Sequence, residues 1–299
     1  MTVAINLSEL PAPSLIEDLD FESILQDYKD QLILLAPECA ETLTLESEPL
    51  VKLMQLAAWR ELRLKARYND EAKAVLLAYS SGPDLDHIGF TYYRGELRLV
   101  ITEADPDAFP PVEQVMESDT DFRNRLALKP ESYSCAGPSE AYKFHALSAH
   151  GMVKDAFASS PVPGTSLVTV LSREGQGVPS QPILDAVEAR VNPNNIRPMC
   201  EEVIVQAAEI ITYTLNVGLK VYKGPDHNLI VSASNNAVAN YIETSRKLGV
   251  SHTIAGFHKA AKQEGVWDVT LNISENITVA DHQAAFCTEL TVAIVEITG

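Results

Sequence analysis

Basic charge is scarce in this chain. Lys and Arg number 23 against 41 Asp and Glu over 299 residues, a formal net charge of -18. A field of that sign repels phosphate backbones and anionic lipid, so neither nucleic acid nor a membrane is an expected partner. Cysteine is scarce too. Cys39, Cys135, Cys200 and Cys287 are scattered without a C-x-x-C pair, which suits neither a zinc site nor a disulfide framework and implies free thiols in a reducing cytoplasm. No apolar run approaches the length of a membrane span. The start MTVAINLSELPAPS has neither the basic head nor the apolar core of a signal peptide, so the glycosylation sequons at Asn272 and Asn276 are read as incidental.

Catalytic motifs are missing as well. Gly164-Thr165-Ser166 is not a G-x-S-x-G elbow, and no P-loop or H-E-x-x-H occurs. Gly175-Gln176-Gly177 lacks a third glycine in register and reads as a turn. His145 and His150, and likewise His252 and His258, are spaced so that neither pair shares a helix face. Asp84, Asp86 and His87 in PDLDHIG carry donor chemistry for a divalent metal and support one alternative, a cytoplasmic metal-dependent hydrolase. The preferred reading assigns no catalytic residue, no cofactor and no metal.

What is present is acid, concentrated early, and apolar surface. From Glu9 to Glu48 only Lys29 opposes a series of carboxylates, either a solvated face or a surface for a basic partner. Hydrophobic residues make up 46% of the chain, the proportion of a globular protein. A first helix is expected over residues 14–35, capped by Ser14 and striped by Leu15, Leu19, Ile24, Leu25 and Tyr28. A second is expected over residues 46–79, with Ser47 as cap, Pro49 in the first turn, a possible break at Asn69-Asp70, and Gly82-Pro83 as stop.

This second helix is apolar on several sides. With Leu50 at zero and about 100° per residue, Leu50, Met54, Ala57 and Leu64 share a face. Val51 and Leu62 fall about 100–120° to one side, Leu56 about 120° to the other, and Trp59 opposite. One core usually requires an apolar stripe covering little more than a third of the circumference. Residues 1–95 hold only one other clear helix, so the excess is expected to face partner helices. The candidate assembly residues are Leu50, Val51, Met54, Ala57, Ala58, Trp59 and Leu62.

Beyond them, TEADPDAFPPVEQVMESD reads as an exposed connection, followed by a short helix capped by Ser118 or Asp119. Helices are expected over residues 139–149, 181–191, 228–248 and 253–264. Strands are expected near 153–157, 166–172, 201–207 and 211–224, at Trp267, Val269, Leu271 and Ile273, and at the closing ELTVAIVEI. The class is α+β: an N-terminal helical arm with a long helix, then two mixed modules with mainly antiparallel sheets. The expected parts are residues 1–95 (helical, bundle-forming), 96–117 (linker), 118–209 (middle) and 210–299 (C-terminal).

In order along the chain, ELPAPSLIEDLDFESIL, the long helix with GPDLDHIG, MESDTDFRNRLAL, CAGPSEAYKFHALSAHG, VLSREGQGVPS and NIRPMCEEVIVQAAEI resemble the baseplate assembly protein J family of contractile-tailed bacteriophages and phage-tail-like bacteriocins. The stretch HIGFTYYRGELRLVIT, around Tyr92 and Tyr93, departs from that pattern. The resemblance implies a structural wedge protein in the tail baseplate of a virion or bacteriocin particle, assembled in the bacterial cytoplasm. Implied partners are a second copy of the chain, a tail protein I-like subunit, neighbouring wedges, and the sheath-initiator and hub proteins. It further implies a sixfold ring whose widening triggers sheath contraction.

Overall fold

The computed structural model describes residue 13 and residues 17–133, 138–224 and 226–298. The expectations for Ser14, Leu15, Cys135 and Pro225 lie outside them. Two compact units are present, Met1–Leu97 and Arg98–Gly299.

The first unit is helical: α1 (Phe21–Leu35), α2 (Pro49–Ala74) and α3 (Gly82–Tyr92). Helix α1 begins at Phe21 rather than residue 14, because the Asp20 carboxylate caps it by accepting from the Glu22 amide. Helix α2 follows Glu48, not Ser47, and ends at Ala74. It runs through Asn69 without a break. The buried Asn69 amide is satisfied outside the helix, accepting from the Glu17 amide at 3.0 Å and donating to the Glu17 carbonyl at 2.8 Å. Lys65 pairs with Glu17 at 3.1 Å and Tyr28 donates to Glu61 at 2.7 Å, so α1 lies antiparallel on α2.

Gly82-Pro83 is a start, not a stop. Ser81 takes the cap position of α3 and Pro83 sits in its first turn, where a missing N–H costs nothing. The stretch PDLDHIG is therefore helix, with Leu85 and Ile88 buried. Tyr92 closes α3, and Arg94 and Gly95 then adopt positive φ.

The second unit opens with a two-stranded antiparallel ribbon, β1 (Val100–Thr102) and β2 (Val115–Met116), within the stretch read as a linker. Next come α4 (Asp119–Leu128), α5 (Ser139–Leu147), β3 (Val153–Val162), β4 (Thr165–Ser172), α6 (Gln181–Val191) and β5 (Glu202–Ala207). Their sheet has the order β3-β4-β5. Strands β3 and β4 pair antiparallel, whereas β4 and β5 pair in parallel, with α6 as the crossover that such a pair requires. Tyr142, Ala146, Val168, Val170, Ile183 and Val187 form the core between this sheet and helices α5 and α6.

The chain then continues through β6 (Glu209–Tyr222), α7 (His227–Ser245), α8 (Ile254–Ala261), β7 (Val266–Leu271) and β8 (Gln283–Thr298). The sheet order is β7-β6-β8, with β7 antiparallel and β8 parallel to β6. Leu215, Val217, Leu219 and Val221 alternate into a core with Ile230, Val238 and Phe257. The fold is thus α+β with mixed sheets. Antiparallel pairing holds for β3–β4 and β6–β7, whereas the longest pairing, β6–β8, is parallel.

One strand face also differs from the alternation. The β6–β7 register shifts between Lys220 and Val221, so Val266 is buried and Trp267 lies outside, beneath the Lys220 ammonium. A bulge displaces every side chain beyond it.

The motif that opens the middle region is explained residue by residue. Ser118 caps α4 by accepting from the Asp121 amide at 3.2 Å. Asp119 pairs with Arg98 at 2.6 Å, and Asp121 with Arg173 at 2.8 Å. The guanidinium groups of Arg98 and Arg125 both stand over the Phe122 ring, 5.3 and 5.2 Å from its centre. Glu117 and Arg125, 7% and 2% exposed, form a fork-to-fork pair with a shortest approach of 2.7 Å.

Gly151 completes this junction. A Cβ there would stand 2.0 Å from the Val100 carbonyl oxygen, a backbone atom with little room to move. Gly151→Ala is expected to destabilise the second unit by about 1–3 kcal/mol. A urea titration monitored by circular dichroism checks this through a lower midpoint at unchanged slope.

Candidate functional site

Helix α2 has two distinct sides. On one, Val51 and Ala58 are buried, and Met54 and Leu62 pack with Ala58 against Phe21, Ile24, Leu25 and Tyr28 of α1. On the other, Leu53 (63% exposed), Leu56, Trp59 (47%), Leu64 and Tyr68 face solvent. With Leu53 at zero, the exposed set spans from about -120° at Trp59 to about 60° at Tyr68. The packed set lies at about 100–180°. The helix is neither sealed within its own unit nor bare. One half of its circumference is covered and the other half is an uncovered apolar ridge.

The structure thus divides the seven candidate residues. Val51, Met54, Ala58 and Leu62 serve the unit's own core, Leu50 and Ala57 are half-buried, and Trp59 belongs to the open ridge. Sequence reasoning passed over Leu53 and Tyr68 and kept Leu56 and Leu64 out of the final set. The spacing of Leu53, Leu56, Leu64 and Tyr68 carried the signal. Deciding which greasy face α1 would take required the α1–α2 pairing.

The ridge is basic as well as apolar. Lys52, Arg60, Arg63 and Arg67 are exposed along it, with Arg67 paired to Glu71 at 3.0 Å and the Arg63 guanidinium 4.9 Å from the Trp59 ring centre. In a chain of net charge -18 this is a local reversal of sign. Long basic side chains can lie along apolar surface while their charges reach outward. A complementary surface would be apolar with acidic margins. Helix α1 has that character on its own outer side, where Glu22, Asp27, Asp30 and Leu34 are exposed.

Asp84, Asp86 and His87 do not converge. On α3 Asp84 and His87 leave the axis about 60° apart, but Asp86 points about 100–160° away from both, so the three cannot close on one ion. Among the described residues no group of three or more His, Cys, Asp and Glu is placed to hold a metal. An open concavity lined by Gly164, Glu188, Arg197, Met199, Cys200 and Glu201 exists in the second unit. Its central carboxylate is occupied structurally: Glu201 accepts from the Tyr142 hydroxyl at 2.8 Å and from Ser166. No helix among the described residues is long and apolar enough to cross a membrane.

One histidine is buried. His252 lies fully inside the C-terminal core, its Nδ1 2.6 Å from the Tyr213 hydroxyl and its ring against Tyr241 and Phe257. Burial lowers its pKa below 6.5, opposed by the Ser245 backbone. A histidine depressed in the folded state binds fewer protons than the unfolded chain, so its contribution is full above the unfolded pKa and is lost as pH falls. Between pH 8 and 5, stability is expected to fall below pH 6.5, by at most about 1.4 kcal/mol per pH unit from this group. His252→Gln should flatten that dependence in thermal melts taken across the range.

An α+β chain with an uncovered helical ridge is the kind of subunit built to be enclosed by others. The chain matches the Baseplate J-like N-terminal domain over residues 46–105 and the Baseplate J-like central domain over residues 134–207. It belongs to the baseplate J family of phage tail proteins. Among its relatives is the protein named Baseplate protein J of Escherichia phage P2, 43% identical over 291 residues, covering 95% of this chain and 96% of the relative.

Proposed function

We propose that this chain is a structural wedge subunit of a contractile-tail baseplate, and that the outer ridge of α2 is the surface through which its N-terminal unit joins other chains. The observation carrying this reading is the run Leu53, Leu56, Trp59, Leu64 and Tyr68, exposed on a helix whose opposite side is already packed. Burying a large apolar side chain contributes about 1.5–3 kcal/mol, so five aligned residues supply enough for stable association. Contiguous exposed apolar surface of this kind marks interaction sites.

The partners are a second copy of the chain and a tail protein I-like subunit in one helical bundle. The acidic outer side of α1 in one copy suits the basic margin of α2 in another. The remaining contacts are with neighbouring wedges, closing a sixfold ring, and with sheath-initiator and hub proteins. The ring couples host contact to sheath contraction, so it takes up two sets of contacts. The subunit performs no catalysis and uses no cofactor. It resides in the baseplate of a virion or phage-tail-like particle, after assembly in the host cytoplasm. The four expected parts follow this division of labour: a bundle-forming region at 1–95, a connection at 96–117, and middle and C-terminal modules at 118–209 and 210–299.

Co-expression with a tail protein I-like partner tests the ridge. A complex that survives size exclusion and holds two copies of this chain per partner is expected. A chain that elutes as a monomer beside a soluble partner would contradict the reading.

A further inference from the structure

We propose that the ribbon of residues 98–117 is a docking finger whose tip residue, Phe109, seats in an apolar pocket with a basic rim on a different baseplate subunit. This rests on the baseplate reading above. Phe109 is fully exposed at the apex, within Ala108-Phe109-Pro110-Pro111. The apex is not a loose loop. Asp105 and Val112 exchange backbone hydrogen bonds of 3.0 and 2.9 Å. The Asp105 carboxylate accepts from the amides of Asp107 at 3.1 Å and Ala108 at 3.2 Å. Pro106, Pro110 and Pro111 restrict φ around it.

The base is equally fixed. The Arg98 guanidinium donates to the Glu117 carbonyl at 2.9 Å, the Glu117 amide to the Leu99 carbonyl at 2.9 Å, and Arg125 holds the Glu117 carboxylate. An aromatic presented on a mount pinned at both ends loses little entropy on binding, which is the economy of an interface anchor. The mode is side-chain insertion, not strand addition. The paired strands are two or three residues long, and the prolines at the apex have no N–H to offer a ladder.

Charge selects the partner. Residues 99–122 contain no Lys, Arg or His, while Glu103, Asp105, Asp107 and Glu113 flank the tip. The receiving pocket is therefore apolar inside and basic at its margin. The concavity beside Cys200 in a second copy has the wrong sign, with Glu188, Glu201 and Glu202 on its wall. The basic ridge of α2 is a convex helix surface and is assigned above to other helices. A different subunit is the occupant that fits.

The test uses the full chain, supplied to particles that lack their own copy, with the photo-crosslinking residue p-benzoylphenylalanine at position 109. The expected result is one adduct in assembled particles, from position 109 to an apolar peptide carrying Lys or Arg in another subunit. In parallel, Phe109→Asp should lower incorporation about tenfold or more while Phe109→Leu retains it, both free chains melting as the unsubstituted one does. An adduct to a second copy of this chain, no adduct within assembled particles, or full incorporation of Phe109→Asp overturns the proposal. If the unsubstituted chain itself stays out of the particle, the baseplate reading falls and the finger falls with it.

Discussion

Leu56 and Trp59 replaced together by aspartate should leave the isolated chain folded and absent from the assembled particle. Both side chains lie on the open side of α2 and outside the α1–α2 core, so the change should alter stability by about 1 kcal/mol or less. In the bundle the same positions are enclosed. Two carboxylates there must be desolvated or must hold the interface open, at a cost of several kcal/mol. Each 1.4 kcal/mol is a factor of about ten in affinity, so association should weaken by about 100-fold or more. Ala58→Asp provides the contrast. Ala58 is wholly buried against α1, so a charge there should unfold the N-terminal unit itself. Circular dichroism of the free chains and mass spectrometry of purified particles separate the two effects.

Within the second unit the largest effect on stability is expected from Arg125→Met. The change takes the guanidinium away from the buried Glu117 carboxylate and leaves it the Leu99 amide, at 3.2 Å, as a neutral donor. Removing one partner of such a pair costs about 3–5 kcal/mol, whereas replacing both with apolar groups of similar volume is often neutral. The double variant Glu117→Met, Arg125→Met should therefore recover most of the loss. For a unit of this size the single variant should lower Tm by about 6–20 °C. A change of under about 2 °C would mean that Glu117 finds water or another donor when its partner is removed.

The parts of this architecture legible in the sequence are those fixed by local pattern. The alternation of Leu215, Val217, Leu219 and Val221 marks a strand with one wet face, and it is one. The stripe of Ile183, Val187 and Val191 marks α6, which spans the expected residues. What the sequence concealed depends on pairing across the chain. A one-residue shift beside Lys220 exchanged Trp267 for Val266 in the core, and no property of those two residues announces it. That β8 runs parallel to β6 follows from how the chain returns, not from its composition. Gly82-Pro83 has two meanings, since a proline that ends one helix equally begins the next. The excess of apolar surface on α2 could be counted from sequence. Its division into a packed side and an open ridge could not, because that division is made by α1. The metal alternative at Asp84, Asp86 and His87 arose because residues close in sequence look clustered until a helix turns one of them, Asp86, away from the other two.

The central claim is that other chains cover the outer ridge of α2. Trp59 is one of only two tryptophans, so its solvent exposure can be followed by oxidative footprinting and peptide mass spectrometry. In the free chain Trp59 should be oxidised readily, and in the intact baseplate it should be protected by about tenfold or more. Equal oxidation of Trp59 in the free chain and in the particle would contradict the account.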